Sequence, residues 1–165
     1  MDMTVQWSAP IPLYKDKEVI YWCDLEKIPE TPGVYIFGRV HGESFEAFYV
    51  GKGIKLKRRI EQHFINNVYL MKKLENAQNG TRVVMVGEFI AASGQQAAKC
   101  IGIIERALIR HFMSDGHDLV NVQGTALKHH SVNSTGAGKK LPRTILLEKP
   151  SGQKSNSSSK AKPAR

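Results

Sequence analysis

Cysteine is scarce: the 165 residues hold two, Cys23 and Cys100, and they form no CxxC pair. A secreted chain of this length usually carries more, so a reducing compartment, the cytoplasm, is the expected location. Long apolar runs are missing as well, and no stretch approaches the roughly 20 residues that a membrane-crossing helix requires. The opening residues MDMTVQWSAP lack the basic-then-apolar order of a secretion signal. Acidic residues are in the minority, 15 against 24 Lys and Arg, which leaves a net charge of +9. Lys154, Lys160, Lys162 and Arg165 contribute to that excess from a closing segment with no acid and no large apolar residue. Residues 150–165 therefore read as a disordered basic tail. The remainder stays basic without the tail, which suits a polyanion such as nucleic acid or an anionic membrane surface.

What is present is a chain with 41% hydrophobic residues, enough for one compact domain without disulfides or structural metals. Residues 1–30 carry Pro10, Pro12 and Pro29 and read as an N-terminal extension, with only Glu18 to Trp22 offering a short strand or helical turn. Gly33 to Val40 is rich in β-branched and aromatic residues and predicts a strand. His41 to Ser44 supplies a turn, and Phe45 to Val50 returns as the second arm of a hairpin. Gly51-Lys52-Gly53 is expected to break that strand. A helix follows from about Lys55 to Asn76, with Leu56, Ile60, Phe64, Met71 and Leu74 as its apolar stripe, and Asn79-Gly80 stops it. Thr81 to Ile90 predicts a central strand, covered on both faces. Gln95 to Met113 predicts a second helix that buries Ile101, Ile104, Leu108 and Phe112. Asp118 to Gln123 reads as extended, and Ile145 to Leu147 as a last strand. The β-β-α-β-α order implies an α+β fold, a small mixed three-stranded sheet flanked by helices, spanning 31–149 with its core in 31–125.

Helix phase sorts the basic residues after Gly53. Taking Ile60 as the centre of the buried stripe, Arg59 lies at about −100° and His63 at about −60°, one turn apart on one edge, while Arg58 falls near 160° on the solvent side. Lys52, Lys55, Lys57, Arg58 and Arg59 form a dense run of cations suited to tracking phosphates. Gly51 and Gly53 permit close backbone approach to a phosphate beside Lys52. Glu105 has Ile101, Gly102, Leu108 and Ile109 as its helix neighbours, so it has no basic partner on its own helix. A carboxylate there needs either an ion-pair partner from elsewhere or a metal. Tyr35 and Tyr49 stand on paired strands. If residue 40 pairs with 44, then 35 pairs with 49 and both hydroxyls emerge on one face, whereas an even-length loop would separate them.

Gly33-Val34-Tyr35 followed by Tyr49-Val50-Gly51 resembles the paired elements that name the GIY-YIG nuclease family. The run Tyr49 to Phe64 (YVGKGIKLKRRIEQHF) resembles the corresponding segment of the incision nuclease of bacterial excision repair. It shares Tyr-Val-Gly-Lys, a basic helix start and an arginine ten residues after the tyrosine. Glu105 stands where the family keeps its metal-binding acid, and Asn121 in the place of its asparagine, so the resemblance spans roughly residues 30–125. The interval from Tyr35 to Tyr49 exceeds the family's usual one, which implies an extended hairpin.

The resemblance implies a GIY-YIG-like fold and a Mg²⁺- or Mn²⁺-dependent endonuclease acting on nucleic acid, DNA ahead of RNA, with no membrane role. In that reading Glu105 is the metal ligand, and Arg59 stabilises charge on the phosphate. Tyr35, Tyr49 or His63 would activate water. Lys52, Gly51, Gly53 and Asn121 would hold substrate or backbone around them. A non-catalytic nucleic-acid-binding module on the same fold is the alternative. A protein partner or a homodimer fits either reading. Gly136-Ala-Gly-Lys-Lys lacks the first glycine and the Ser or Thr of a phosphate-binding loop, and His129-His130 has no acid or cysteine at ligand spacing.

Overall fold

The computed structural model describes residues 1–121, 130–138 and 140–147. In chain order its elements begin with β1 (Asp2–Trp7), β2 (Ile11–Pro12), β3 (Tyr14–Lys15), β4 (Tyr21–Trp22), β5 (Gly33–His41) and β6 (Ser44–Gly53). There follow α1 (Leu56–Asn66), α2 (Val68–Asn76), β7 (Thr81–Ile90), α3 (Ala97–Ser114), β8 (His130–Gly136) and β9 (Thr144–Leu147). The class is α+β, but the sheet is larger than the sequence suggests. Seven strands join in the order β6-β5-β7-β1-β8-β9, with β2 also on β7. The expected three-stranded sheet is the β6-β5-β7 part of this structure.

The added strands begin with β1. Met3, Val5 and Trp7 are buried and alternate with Asp2, Thr4 and Gln6, the period of a strand with one face in the core. β1 runs antiparallel to β7 and parallel to β8. Residues 1–30 therefore do not all stand apart from the domain: the first of them lie inside its sheet. Tyr21 and Trp22, within the segment read as a short strand or turn, pair with Lys15 and Tyr14 in a separate two-stranded ribbon.

Helices cover both faces. α3 packs Ile101, Ile104, Leu108 and Phe112 with Val5, Val34, Ile36 and Val50. α1 and α2 pack Leu56, Ile60, Phe64, Met71 and Leu74 with Tyr35, Phe37 and Val84. The single helix expected over 55–76 is in fact two. Asn67 adopts φ −100° and ψ 71°, ends α1, and accepts a hydrogen bond from Leu70 N–H to cap α2. An asparagine side chain that caps a new turn competes with continuing the old one.

The hairpin also departs from its expected register. His41 pairs with Ser44 across a two-residue turn, in which Gly42 takes φ +57°. That glycine stands where a type II′ hairpin turn needs one. Such an even turn would send Tyr35 and Tyr49 to opposite faces. The ladder, however, skips Phe48: Gly38 pairs with Ala47, and Phe37 with Tyr49. This bulge adds one residue to β6 and restores parity. Tyr35 thus pairs with Gly51 rather than with Tyr49, and the two tyrosines still share a face. β6 does not break at Gly51; it runs on through Lys52 and Gly53, paired with Val34 and Gly33. The tail at 150–165, His129, the end of the segment expected to be extended beyond Asn121, and the expected boundaries at 125 and 149 lie outside the described residues.

Replacing Trp7 by alanine tests the place of β1. Its ring is 2% exposed and its Nε1 donates to Ser134 Oγ at 3.2 Å. Urea unfolding of Trp7→Ala should show a loss of about 3–5 kcal/mol. A change close to zero would mean that residues 1–7 add nothing to the core.

Candidate active site

Three elements bring the expected residues together at the edge of the sheet. Tyr35 comes from β5, Tyr49 from β6, and Arg59 and His63 from α1. The Tyr35 and Tyr49 rings stack with centroids 6.3 Å apart and planes 13° apart, and His63 lies edge-on to Tyr49 at 4.7 Å. Tyr35 Oη is 2.5 Å from His63 Nε2, and Asn67 Nδ2 is 3.0 Å from His63 Nδ1. Tyr35 has no exposed surface and His63 is 4% exposed, whereas Tyr49 is only partly buried.

The glycines serve this arrangement. A Cβ on Gly51 would collide with the Tyr35 ring, and one on Gly53 would come within 2.9 Å of Arg59 Cβ. Both positions leave room for site side chains, and the space above Gly51 is filled by tyrosine.

Burial sets the ionisation of the cluster. It pushes the Tyr35 phenol well above the usual range, reinforced by Tyr49 and opposed by the Arg59 charge. Burial raises Tyr49 too, again opposed by Arg59 and by hydrogen bonding with Tyr35. His63 is pushed down to about 4, by burial first and by the Arg59 charge second, so its imidazole is neutral near pH 7. Arg59 is exposed, donates to Gln62 Oε1 at 3.3 Å, and is the cation whose charge bears on all three groups. The helix-phase argument that ranked it above Arg58 agrees with this placement.

Glu105 approaches from the opposite layer. It sits on α3 and is 5% exposed, and its Oε2 is ion-paired with the Lys52 ammonium. Lys52 falls on the α3 face of β6 because it is one residue out of phase with Gly51. It therefore compensates the buried carboxylate rather than standing free for a phosphate. The Glu105 charge still reaches the two phenols and raises both. Among the described residues no cluster of three or more His, Cys, Asp or Glu could hold a metal ion, and Glu105 is the one buried carboxylate.

Asn121 holds backbone. Its Oδ1 accepts from Val50 N–H at 3.1 Å, and its Nδ2 donates to the Val50 carbonyl at 2.5 Å, between Tyr49 and Gly51. Val120 N–H donates to the Phe48 carbonyl at 2.7 Å, and Ala47 N–H donates to His117 Nδ1 at 2.9 Å. The segment after α3 thereby satisfies the free edge of β6. A groove of about 590 Å³ lies between α2 and the hairpin, lined by Arg39, Glu46, Phe48, Tyr69, Lys72 and Lys73. Its cations are paired, Arg39 with Glu46, Lys72 with Glu75 and Lys73 with Asp118, so it is not a free basic track. No helix among the described residues is long and apolar enough to cross a membrane.

Asn67, Val120 and His117 escape a reading by motif. Asn67 could have been found from its spacing, four residues after His63 on the same helix edge.

No protein-family model and no solved structure matches the chain. Over 49 residues it is 45% identical to UvrABC system protein C of Finegoldia magna. That stretch is 30% of this chain, and it spans only 8% of the relative's length. The similarity supports a relationship to part of that protein and no more.

The pH dependence of stability tests the burial of His63. Its folded pKa lies below the unfolded value, so its contribution is complete above about pH 6.5 and is lost as pH falls toward 4. Thermal unfolding should show the chain losing roughly 3 kcal/mol across that window. His63→Gln should lack this component. An unchanged pH profile in the variant would show that His63 is not buried as a neutral ring.

Proposed function

We propose that the chain is a metal-dependent endonuclease that hydrolyses phosphodiester bonds in nucleic acid, with DNA as the first substrate to test. The observation that carries this reading is the convergence of Tyr35, Tyr49, His63 and the exposed Arg59 guanidinium beside a buried carboxylate, Glu105. Partial identity to UvrABC system protein C adds weight to nucleic acid as the partner class.

Each group has chemistry that suits the role. Arg59 can donate hydrogen bonds to phosphate oxygens as negative charge develops there. Tyr49 is the phenol with access to solvent, so its oxygen can accept a hydrogen bond from an attacking water and orient it. Tyr35, fully enclosed, supports Tyr49 from behind. Asn121 fixes the Val50 peptide and with it the direction of the strand that carries Tyr49. Glu105 would hold Mg²⁺ or Mn²⁺. A single buried carboxylate fits Mg²⁺, which commonly takes one or two protein carboxylates and completes its shell with water and phosphate oxygens. When bound, the ion would neutralise charge on the scissile phosphate and the leaving oxygen.

The Lys52–Glu105 pair favours one competing reading. An acid already matched by a lysine needs no metal, as in a nucleic-acid-binding module without catalysis. Nicking of supercoiled plasmid separates the two. The wild-type chain should nick with Mg²⁺ or Mn²⁺ and not with EDTA. Arg59→Ala and Glu105→Ala should each lower the rate by about a hundredfold or more, while DNA binding in EDTA stays within a few-fold for Glu105→Ala. Binding without cleavage of any DNA or RNA form, with either metal, would leave the module reading standing and remove the nuclease.

A further inference from the structure

Asn67 occupies the kink between α1 and α2, and its side chain has a partner at each end. Its Oδ1 accepts from Leu70 N–H at 3.1 Å, which closes the first turn of α2. With the oxygen committed to a backbone donor, the amide nitrogen must face the other way, 3.0 Å from His63 Nδ1. An amide NH₂ can only donate. His63 Nδ1 is therefore the acceptor, and the neutral ring carries its hydrogen on Nε2. Nε2 lies 2.5 Å from Tyr35 Oη. The direction of that bond follows: His63 donates and the Tyr35 oxygen accepts. The hydroxyl hydrogen of Tyr35 is then not engaged by His63, and the Tyr49 ring stacks beside the Tyr35 ring with centroids 6.3 Å apart.

We propose that Asn67 is a positioning residue that fixes His63 as its Nε2–H tautomer, so that a one-way chain of donors, Asn67 to His63, ends on the Tyr35 oxygen and leaves the Tyr35 hydrogen directed away from His63. The reverse tautomer would set the His63 Nδ1–H against the Asn67 NH₂. It would also turn the Tyr35 hydrogen toward His63. His63 is 4% exposed, so water cannot readily replace Asn67 as the group that decides. In the wild-type chain His63 is thus a donor to Tyr35, and its basic nitrogen is already in use. The kinetic consequence of this assignment rests on the nuclease reading above; the tautomer does not.

The test is a long-range ¹H–¹⁵N correlation spectrum of the imidazoles of the full chain at neutral pH, with His63 identified by its loss in His63→Gln. The Nε2–H pattern is expected for His63. Asn67→Asp is the informative variant, because an aspartate keeps an oxygen for Leu70 N–H and offers its second oxygen to His63. That oxygen accepts only, so the ring should gain a hydrogen on Nδ1. In plasmid cleavage the variant should lose about tenfold or more in kcat, with KM within about twofold of wild type. An Nδ1–H pattern in the wild-type chain would overturn the proposal even if Asn67→Asp failed to fold. So would a variant that acquires Nδ1–H and still cleaves at the wild-type kcat. A chain that cuts nothing, yet shows Nε2–H in the wild type and its reversal in Asn67→Asp, would remove the nuclease reading and support the assignment of Asn67.

Discussion

Side chains on a strand alternate between faces, so the whole site depends on how residues are counted along the β5–β6 hairpin. The tight turn at Gly42 and Glu43 sets one parity, and the extra residue Phe48 reverses it before the ladder reaches Tyr49. Downstream of the bulge, Tyr49 and Gly51 face α1, where the Tyr35 ring and His63 wait. Val50 and Lys52 face α3, where the core and Glu105 lie. Without the bulge these two sets would exchange places. A phenol would then enter the aliphatic core under α3, and a lysine would be driven against the aromatic cluster.

The same alternation explains how charge is tolerated in so closed a place. Glu105 is almost fully buried, which is costly for a lone carboxylate, and the strand supplies Lys52 as its partner. On the other side of β6, Arg59 acts from solvent, offsetting part of the burial that keeps both phenols protonated. The edge of the sheet is thus a divide. One cation is consumed in neutralising an acid, and the other stays exposed to solvent.

Much of this was legible in the sequence, and the parts that were not share a cause. Helix phase alone ranked Arg59 and His63 above Arg58, because a long amphipathic pattern fixes which edge of a helix meets the core. That Glu105 has no basic partner on its own helix was legible for a similar reason, though not that Lys52 of β6 would pair with it. The two-stranded pairing of Tyr35 was not, since a bulge leaves no compositional mark and shifts the register by one. The break at Asn67 was hidden because no proline or glycine stands there; an asparagine ends one helix by capping the next. β1 did carry a readable alternation in Met3, Val5 and Trp7, but it is short and followed by prolines. Its partner β8 reads HSVNSTG, without any apolar period, and is held as a strand by pairing with β1 on one side and β9 on the other.

Asn121 has a consequence beyond the position of Tyr49. β6 is the outermost strand on its side of the sheet, and a bare outer strand is a template on which another chain can add itself. His117, Val120 and Asn121 occupy its hydrogen-bonding groups from Ala47 to Val50, two of them through side chains. Side chains cannot propagate a ladder, so this cover ends the sheet instead of passing the edge to a new strand. The residue that orients the tyrosine strand thus also occupies groups through which, among the described residues, another strand would have to pair.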